Sequence, residues 1–143
     1  MRIADLLNGK GAFVLTIGAA APVTELLGAL AEHNVGAAVV TEDGRITGIV
    51  SERDVVRRLH QRGPELLAAP TGDIMTTVVA TCRPTDDVET LTVLMTEKRV
   101  RHVPVVDDAG SLTGIVSIGD VVKSRIDQLE GDRRQLEAYI SQG

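Results

Sequence analysis

Apolar positions along this chain alternate between short runs and helical spacing, and they do so twice in the same order. Phe13 to Ile17 is a brief apolar run. Pro22-Val23-Thr24 then opens a stretch in which Val23, Leu26, Leu27 and Leu30 recur at helical spacing, with proline in the first turn as a start signal. The helix is expected to stop near Asn34. Val35 to Thr41 reads as a buried strand, Asp43-Gly44 as a tight hairpin turn and Ile46 to Val50 as the partner strand. Ser51 caps a second helix from Glu52 to about Gln61, ended by Gly63-Pro64.

The second pass repeats strand, helix, strand, strand, helix. Val78 to Cys82 is the short run, and Pro84 and Asp86 open a helix carrying Val88, Leu91, Leu94 and Met95. Val100 to Val106 and Leu112 to Val116 are the hairpin strands, and a helix starts at Ser117. The turn Asp108-Ala109-Gly110 is one residue longer than Asp43-Gly44, an insertion that hairpins tolerate. Gly48-Ile49-Val50-Ser51-Glu52-Arg53-Asp54-Val55-Val56 returns as Gly114-Ile115-Val116-Ser117-Ile118-Gly119-Asp120-Val121-Val122, so the architectural unit is an internal repeat. Each copy has a short leader, Ile3-Ala4-Asp5-Leu6-Leu7 before the first and Gly72-Asp73-Ile74-Met75-Thr76 before the second. The expected organisation is a first repeat over 1–64, a linker and second repeat over 65–125, and a C-terminal helical extension over 126–143.

Composition then narrows the chemistry. With 143 residues and 43% hydrophobic side chains, two subdomains this small are stable only by packing together. Phe13 and Tyr139 are the two aromatic residues, so base-stacking platforms for a nucleic-acid strand are missing, and a net charge of -5 gives no overall attraction to nucleic acid or an acidic membrane. Small anions remain plausible ligands. Cys82 stands alone and His33, His60 and His102 are far apart in sequence, so no metal spacing arises. Neither a signal-like N-terminus nor an apolar run of about 18 residues is found, and a cytoplasmic protein that does not enter a membrane is expected.

The repeated motif carries chemistry of its own. A strand that ends in glycine, two apolar residues and serine and then turns into a helix aims backbone amides and the positive helix end at one point, which favours an anion. Three residues on, Asp54 or Asp120 offers a carboxylate suited to a vicinal ribose diol. The plainer reading is a capping box, which stabilises a helix start by about 1 kcal/mol, and the two roles are compatible.

With its two in-order copies, the chain resembles a tandem pair of CBS domains, the sensing unit also called a Bateman module. The resemblance covers residues 1 to 125. It implies an α+β fold of two β-α-β-β-α repeats packed about a pseudo-twofold axis, with two clefts that bind adenosine-containing molecules. The residues similar to the family's ribose-phosphate motif are Gly48, Ser51 and Asp54, and Gly114, Ser117 and Asp120. Arg101 and His102 stand where adenylate-binding members place phosphate contacts. Copy one has Gly36 and Ala37 at that place, and Arg53 where copy two has Gly119, so the two clefts are expected to differ. Lys98 and Arg99 read as cations favouring a helix C-terminus.

Beyond Val122 the last helix is expected to run to Ile140, with Val122, Ile126, Leu129, Leu136 and Ile140 in a seam interrupted at Arg133. It either folds back on its own subunit or contacts a second copy, and the resemblance implies a homodimer. No constellation points to catalysis: Ser51 and Ser117 have no histidine at an evident partner position, and the acids are explained by caps and ribose. The reading is a regulatory binding module, not an enzyme, requiring no cofactor and taking AMP, ADP or ATP as its ligand, with output through an unidentified effector protein or self-association. A scaffolding module with vestigial clefts is the alternative.

Overall fold

A computed structural model describes residues 1–77 and 79–142 as two copies of one α+β unit with a long C-terminal helix. The elements are α1 (Ile3–Lys10), β1 (Thr16–Ile17), α2 (Val23–His33), β2 (Ala37–Glu42), β3 (Arg45–Ser51), α3 (Glu52–Arg62), α4 (Val88–Lys98), β4 (His102–Val106), β5 (Leu112–Ser117) and α5 (Ile118–Gln142). In the first copy β1 runs parallel to β2, and β2 pairs antiparallel with β3 from Ala37 opposite Ser51 to Glu42 opposite Arg45. The second copy pairs β4 with β5, His102 opposite Ser117, and Cys82 bridges in parallel to Val105 as Ile17 does to Val40.

One difference from the periodicity has a local cause. The run from Phe13 yields only a two-residue strand, because Phe13 is exposed and lies against the His33 ring, 5.0 Å between centroids. The strand expected over Val78 to Cys82 begins at a residue outside those described, as does the end of the extension at Gly143. The hairpins follow their turn chemistry: Asp43 and Gly44 both have positive φ, the pairing a two-residue turn requires. In the longer turn the Asp107 carboxylate accepts from the Ala109 and Ser111 amides.

The leaders are exchanged between copies. Leu66, Ala69 and Ile74, on the segment expected to be a linker, are buried in the first core with Val23, Leu26 and Val50. Ile3, Leu6 and Leu7 of α1 are buried in the second core with Cys82, Leu91 and Val116. Fully burying one such side chain contributes roughly 1.5–3 kcal/mol, so this exchange fastens each copy to the chain of the other. Matching bridges, Arg2 to Asp87 and Pro22 to Pro70, close the two junctions. Burial also raises the Cys82 thiol pKa to about 12, with Asp86 adding to the effect, so the thiol is held protonated.

α5 is a single helix of 25 residues, about 37 Å long at 1.5 Å per residue. Its apolar seam does not fold back: Val122, Ile126, Leu129, Leu136 and Ile140 are all exposed. No helix among the described residues is long and apolar enough to cross a membrane.

Candidate functional site

The first motif sits where β3 delivers the chain into α3. Ser51 has extended backbone and caps the helix: the Asp54 amide donates to Ser51 Oγ at 3.4 Å, and the Ser51 amide and hydroxyl donate to Asp54 Oδ2 at 2.8 and 3.0 Å. The Glu52 amide donates to the Gly36 carbonyl at 3.0 Å. Two first-turn amides and the serine hydroxyl are therefore consumed inside the protein. The backbone cradle that the motif suggests for an anion is largely spent, and an anion here must be held by side chains. Asp54 Oδ1, in contrast, takes no hydrogen bond from the described residues and borders an open cleft.

That cleft, about 320 Å³, lies between the copies, with Ser51 and Asp54 on one side and Arg101 and His102 on the other. Its volume falls in the ~300–1,000 Å³ span of small-molecule pockets. Thr76 forms part of the wall, since its backbone pairs both ways with Ile49 at 3.0 and 2.8 Å. Arg53, Arg57, Arg99 and Arg101 all line the cleft against two carboxylates, Glu52 and Asp54. No ion pair among the described residues engages any of the four guanidinium groups. An array of unpaired arginines around one acceptor carboxylate suits a ligand with both phosphate and hydroxyl groups.

Sequence reasoning missed two of these arginines. Arg57 lies four residues beyond Arg53 and three beyond Asp54, the spacing that puts side chains on one helix face, so its signal was available. Arg99 reads from sequence as a dipole-favouring surface cation, yet it lines the cleft and holds the left-handed cap of α4 with φ 54°. Its counterpart is Asn34 at φ 52°, a residue type that tolerates this region far better.

His102 stands at the junction of the copies, and a Cβ on Gly36 would lie 3.7 Å from its Nε2. Burial lowers the His102 pKa. Asp120 pulls it back up, Lys10 pushes it down, Glu52 raises it and Arg101 lowers it, and the net is a neutral-leaning imidazole.

The second motif reproduces the cap. The Ser117 amide donates to Asp120 Oδ2 at 2.8 Å, the Asp120 amide to Ser117 Oγ at 3.1 Å, and the Ile118 amide to the Arg101 carbonyl at 2.8 Å. Here, however, a cation rests on the acid: Lys10 Nζ donates to Asp120 Oδ2 at 2.6 Å and to the Ile115 carbonyl at 2.7 Å. The structure thus gathers Ser51, Arg53, Asp54, Arg101 and His102 around one cleft, whose lining does not include Ser117 or Asp120. The two glycines have packing roles: a Cβ on Gly48 would lie 2.6 Å from Met75 Sδ and 2.9 Å from the Thr76 carbonyl, and one on Gly114 3.1 Å from Leu7 Cδ2.

Comparison with known proteins gives consistent results. The sequence model of the CBS domain matches residues 13–61 and 72–127. A mitochondrial CBS domain-containing protein of Arabidopsis thaliana is 37% identical over 126 residues, which cover 85% of this chain and 61% of that relative's own length. A solved CBS-domain containing protein from Agrobacterium tumefaciens is 41% identical, with a TM-score of 0.84 over 87% of this chain and 99% of that one. A CBS domain protein from Pyrobaculum aerophilum, solved complexed with AMP, is 32% identical, with a TM-score of 0.75 over 84% of this chain and 89% of that one.

Proposed function

This chain belongs to the CBS domain family, and from that premise we propose that it is a regulatory module that binds an adenine nucleotide, AMP, ADP or ATP, between its two repeats. The observation that carries the reading is the cleft in which Asp54 of one copy faces Arg101 and His102 of the other across about 320 Å³. In this reading the free Asp54 Oδ1 accepts from the ribose hydroxyls, Arg101 and His102 contact phosphate, and Arg53, Arg57 and Arg99 raise the local potential for it. Capture of AMP by the Pyrobaculum relative supports the ligand class. Since both copies contribute walls, a bound nucleotide favours one relative arrangement of the copies, and that differential affinity is what can pass a signal to a partner.

The reading includes homodimerisation through α5, whose exposed seam continues from Val122 to Ile140 beside a groove lined by Met1, Val88, Thr92 and Val121. Output passes through a further effector protein, in the cytoplasm, without catalysis by this chain. A scaffolding role is the second reading, favoured by that same exposed seam; a partner retained when Asp54 and Asp120 are both replaced by alanine would decide for it.

The test is thermal unfolding with AMP, ADP, ATP or S-adenosylmethionine at millimolar concentration. A ligand at one hundred times its Kd adds about 2.7 kcal/mol, roughly 5–10 °C in Tm at this chain length. The gain should fall by half or more in Asp54→Ala, as tenfold or greater weakening requires. If no adenosyl compound shifts the wild-type Tm, the sensor reading fails.

A further inference from the structure

The pseudo-symmetric frame makes one substitution visible. In the first copy the Ile49 carbonyl accepts from the backbone amide of Thr76 at 2.8 Å, and the chain that follows walls the cleft with Val79 and Ala80. The equivalent carbonyl in the second copy, Ile115, accepts instead from an ammonium, Lys10 Nζ, at 2.7 Å. The leader before the first copy stays helical through Lys10, where the leader before the second turns extended at Thr76. A lysine head therefore takes the place that the Thr76 backbone amide has at the open cleft, and it rests on the acid of the second motif.

This is not an incidental surface pair. The Lys10 and Asp120 side chains are 28% and 23% exposed, whereas in every other ion pair among the described residues both partners are at least 44% exposed. Exposed pairs contribute about 0–1 kcal/mol, and protection from solvent strengthens the attraction. Burial pushes the Asp120 carboxyl up, but the Lys10 hydrogen bond, the Ser117 amide and the Lys10 charge outweigh it and hold the group below the ordinary carboxylate range. Among the described residues Asp54 has no such cation, and the hydrogen bonds to its carboxylate come from Ser51. The helix carrying Lys10 is fixed: Ile3, Leu6 and Leu7 are buried, and the Ile3 and Ala4 amides donate to the Asp86 and Pro84 carbonyls. Lys10 is its last residue, so the side chain can swing away without undocking α1.

We propose that Lys10 is a built-in occupant of the second cleft, closing the Asp120 motif to a ribose diol and leaving the chain with one nucleotide site out of two. The proposal rests on the nucleotide reading of the first cleft. It assigns the asymmetry of the pair to a residue 110 positions from the acid it blocks.

Calorimetric titration with AMP on wild type, Asp54→Ala, Lys10→Met and the double variant tests it, with Lys10→Met keeping the aliphatic stem while deleting the charge. The expected result is one AMP per chain for wild type, at least tenfold weaker binding for Asp54→Ala, two AMP for Lys10→Met, and one AMP for the double variant. Two sites in wild type, or no gained site in Lys10→Met while the Asp54-dependent site persists, overturns the proposal and leaves the nucleotide reading standing. No binding to any of the four overturns both. A carboxyl 13C titration reports the contact without ligand: the Asp120 midpoint should rise in Lys10→Met, and an unmoved midpoint also overturns the proposal.

Discussion

Replacing Gly48 by alanine should damage this protein far more than the same change at Gly114, although the two occupy equivalent positions in the repeat. Neither glycine has positive φ, so the cost is steric rather than conformational. At Gly48 the new methyl meets Met75 Sδ at 2.6 Å, Met75 Cγ at 2.9 Å and the Thr76 carbonyl oxygen at 2.9 Å. The methionine tail can move. The carbonyl cannot withdraw without loosening the two Ile49–Thr76 hydrogen bonds, each contributing about 0.5–1.5 kcal/mol. Overpacking of this kind costs about 1–3 kcal/mol. At a length near 150 residues, where 1 kcal/mol moves Tm by about 2–4 °C, the expected loss is roughly 3–10 °C. At Gly114 the methyl meets only the Leu7 side chain, at 3.1 and 3.2 Å, and the flexible end of leucine gives way for less than about 1 kcal/mol. Differential scanning calorimetry on both variants measures the contrast. Equal Tm values for Gly48→Ala and Gly114→Ala would refute the packing argument, and so would a Gly48→Ala protein as stable as wild type that had only lost nucleotide.

Other outcomes follow from the same geometry. Arg99→Gly should raise Tm, because glycine relieves a left-handed cap that costs roughly 1 kcal/mol, while weakening AMP binding, because a cleft cation is lost; thermal unfolding and calorimetry together check the opposite signs. The His102 ring should titrate below its unfolded value of about 6.5, so its contribution to stability is present above that pH and lost as pH falls through the folded pKa; proton NMR of the ring checks this, and AMP should move the midpoint up. Ile126→Asp should lower the oligomeric state seen by sedimentation while leaving both cores folded, since Ile126 is 49% exposed and belongs to neither core.

Much of the fold was legible because its signals are local. Asp43-Gly44 names its turn by φ preference, Ser51 and Ser117 name helix starts by capping, and Val23, Leu26 and Leu30 name a buried face by spacing. What could not be read is what one copy does to the other. Nothing near Ile3, Leu6 and Leu7 says that they belong to the core of residues 82–121, nor does the Pro-containing segment around Leu66 and Ile74 advertise burial in the first. Phe13 reads as the head of a strand because apolar content does not report exposure. The site divides the same way. Ser51, Asp54, Arg101 and His102 were found through the motif and the family resemblance, and Arg57 was findable from helical spacing. Lys10 was not, since its partner lies 110 residues away and only the exchanged leader brings the two together.

In the proposed function one cleft, built by Asp54 from the first copy and Arg101 and His102 from the second, holds an adenine nucleotide. A crystal structure of the protein grown with AMP tests it most directly. One AMP per chain is expected, its ribose on Asp54 and its phosphate on Arg101 and His102, with Lys10 still on Asp120. AMP seated on Asp120, or bound away from both motifs, would contradict it.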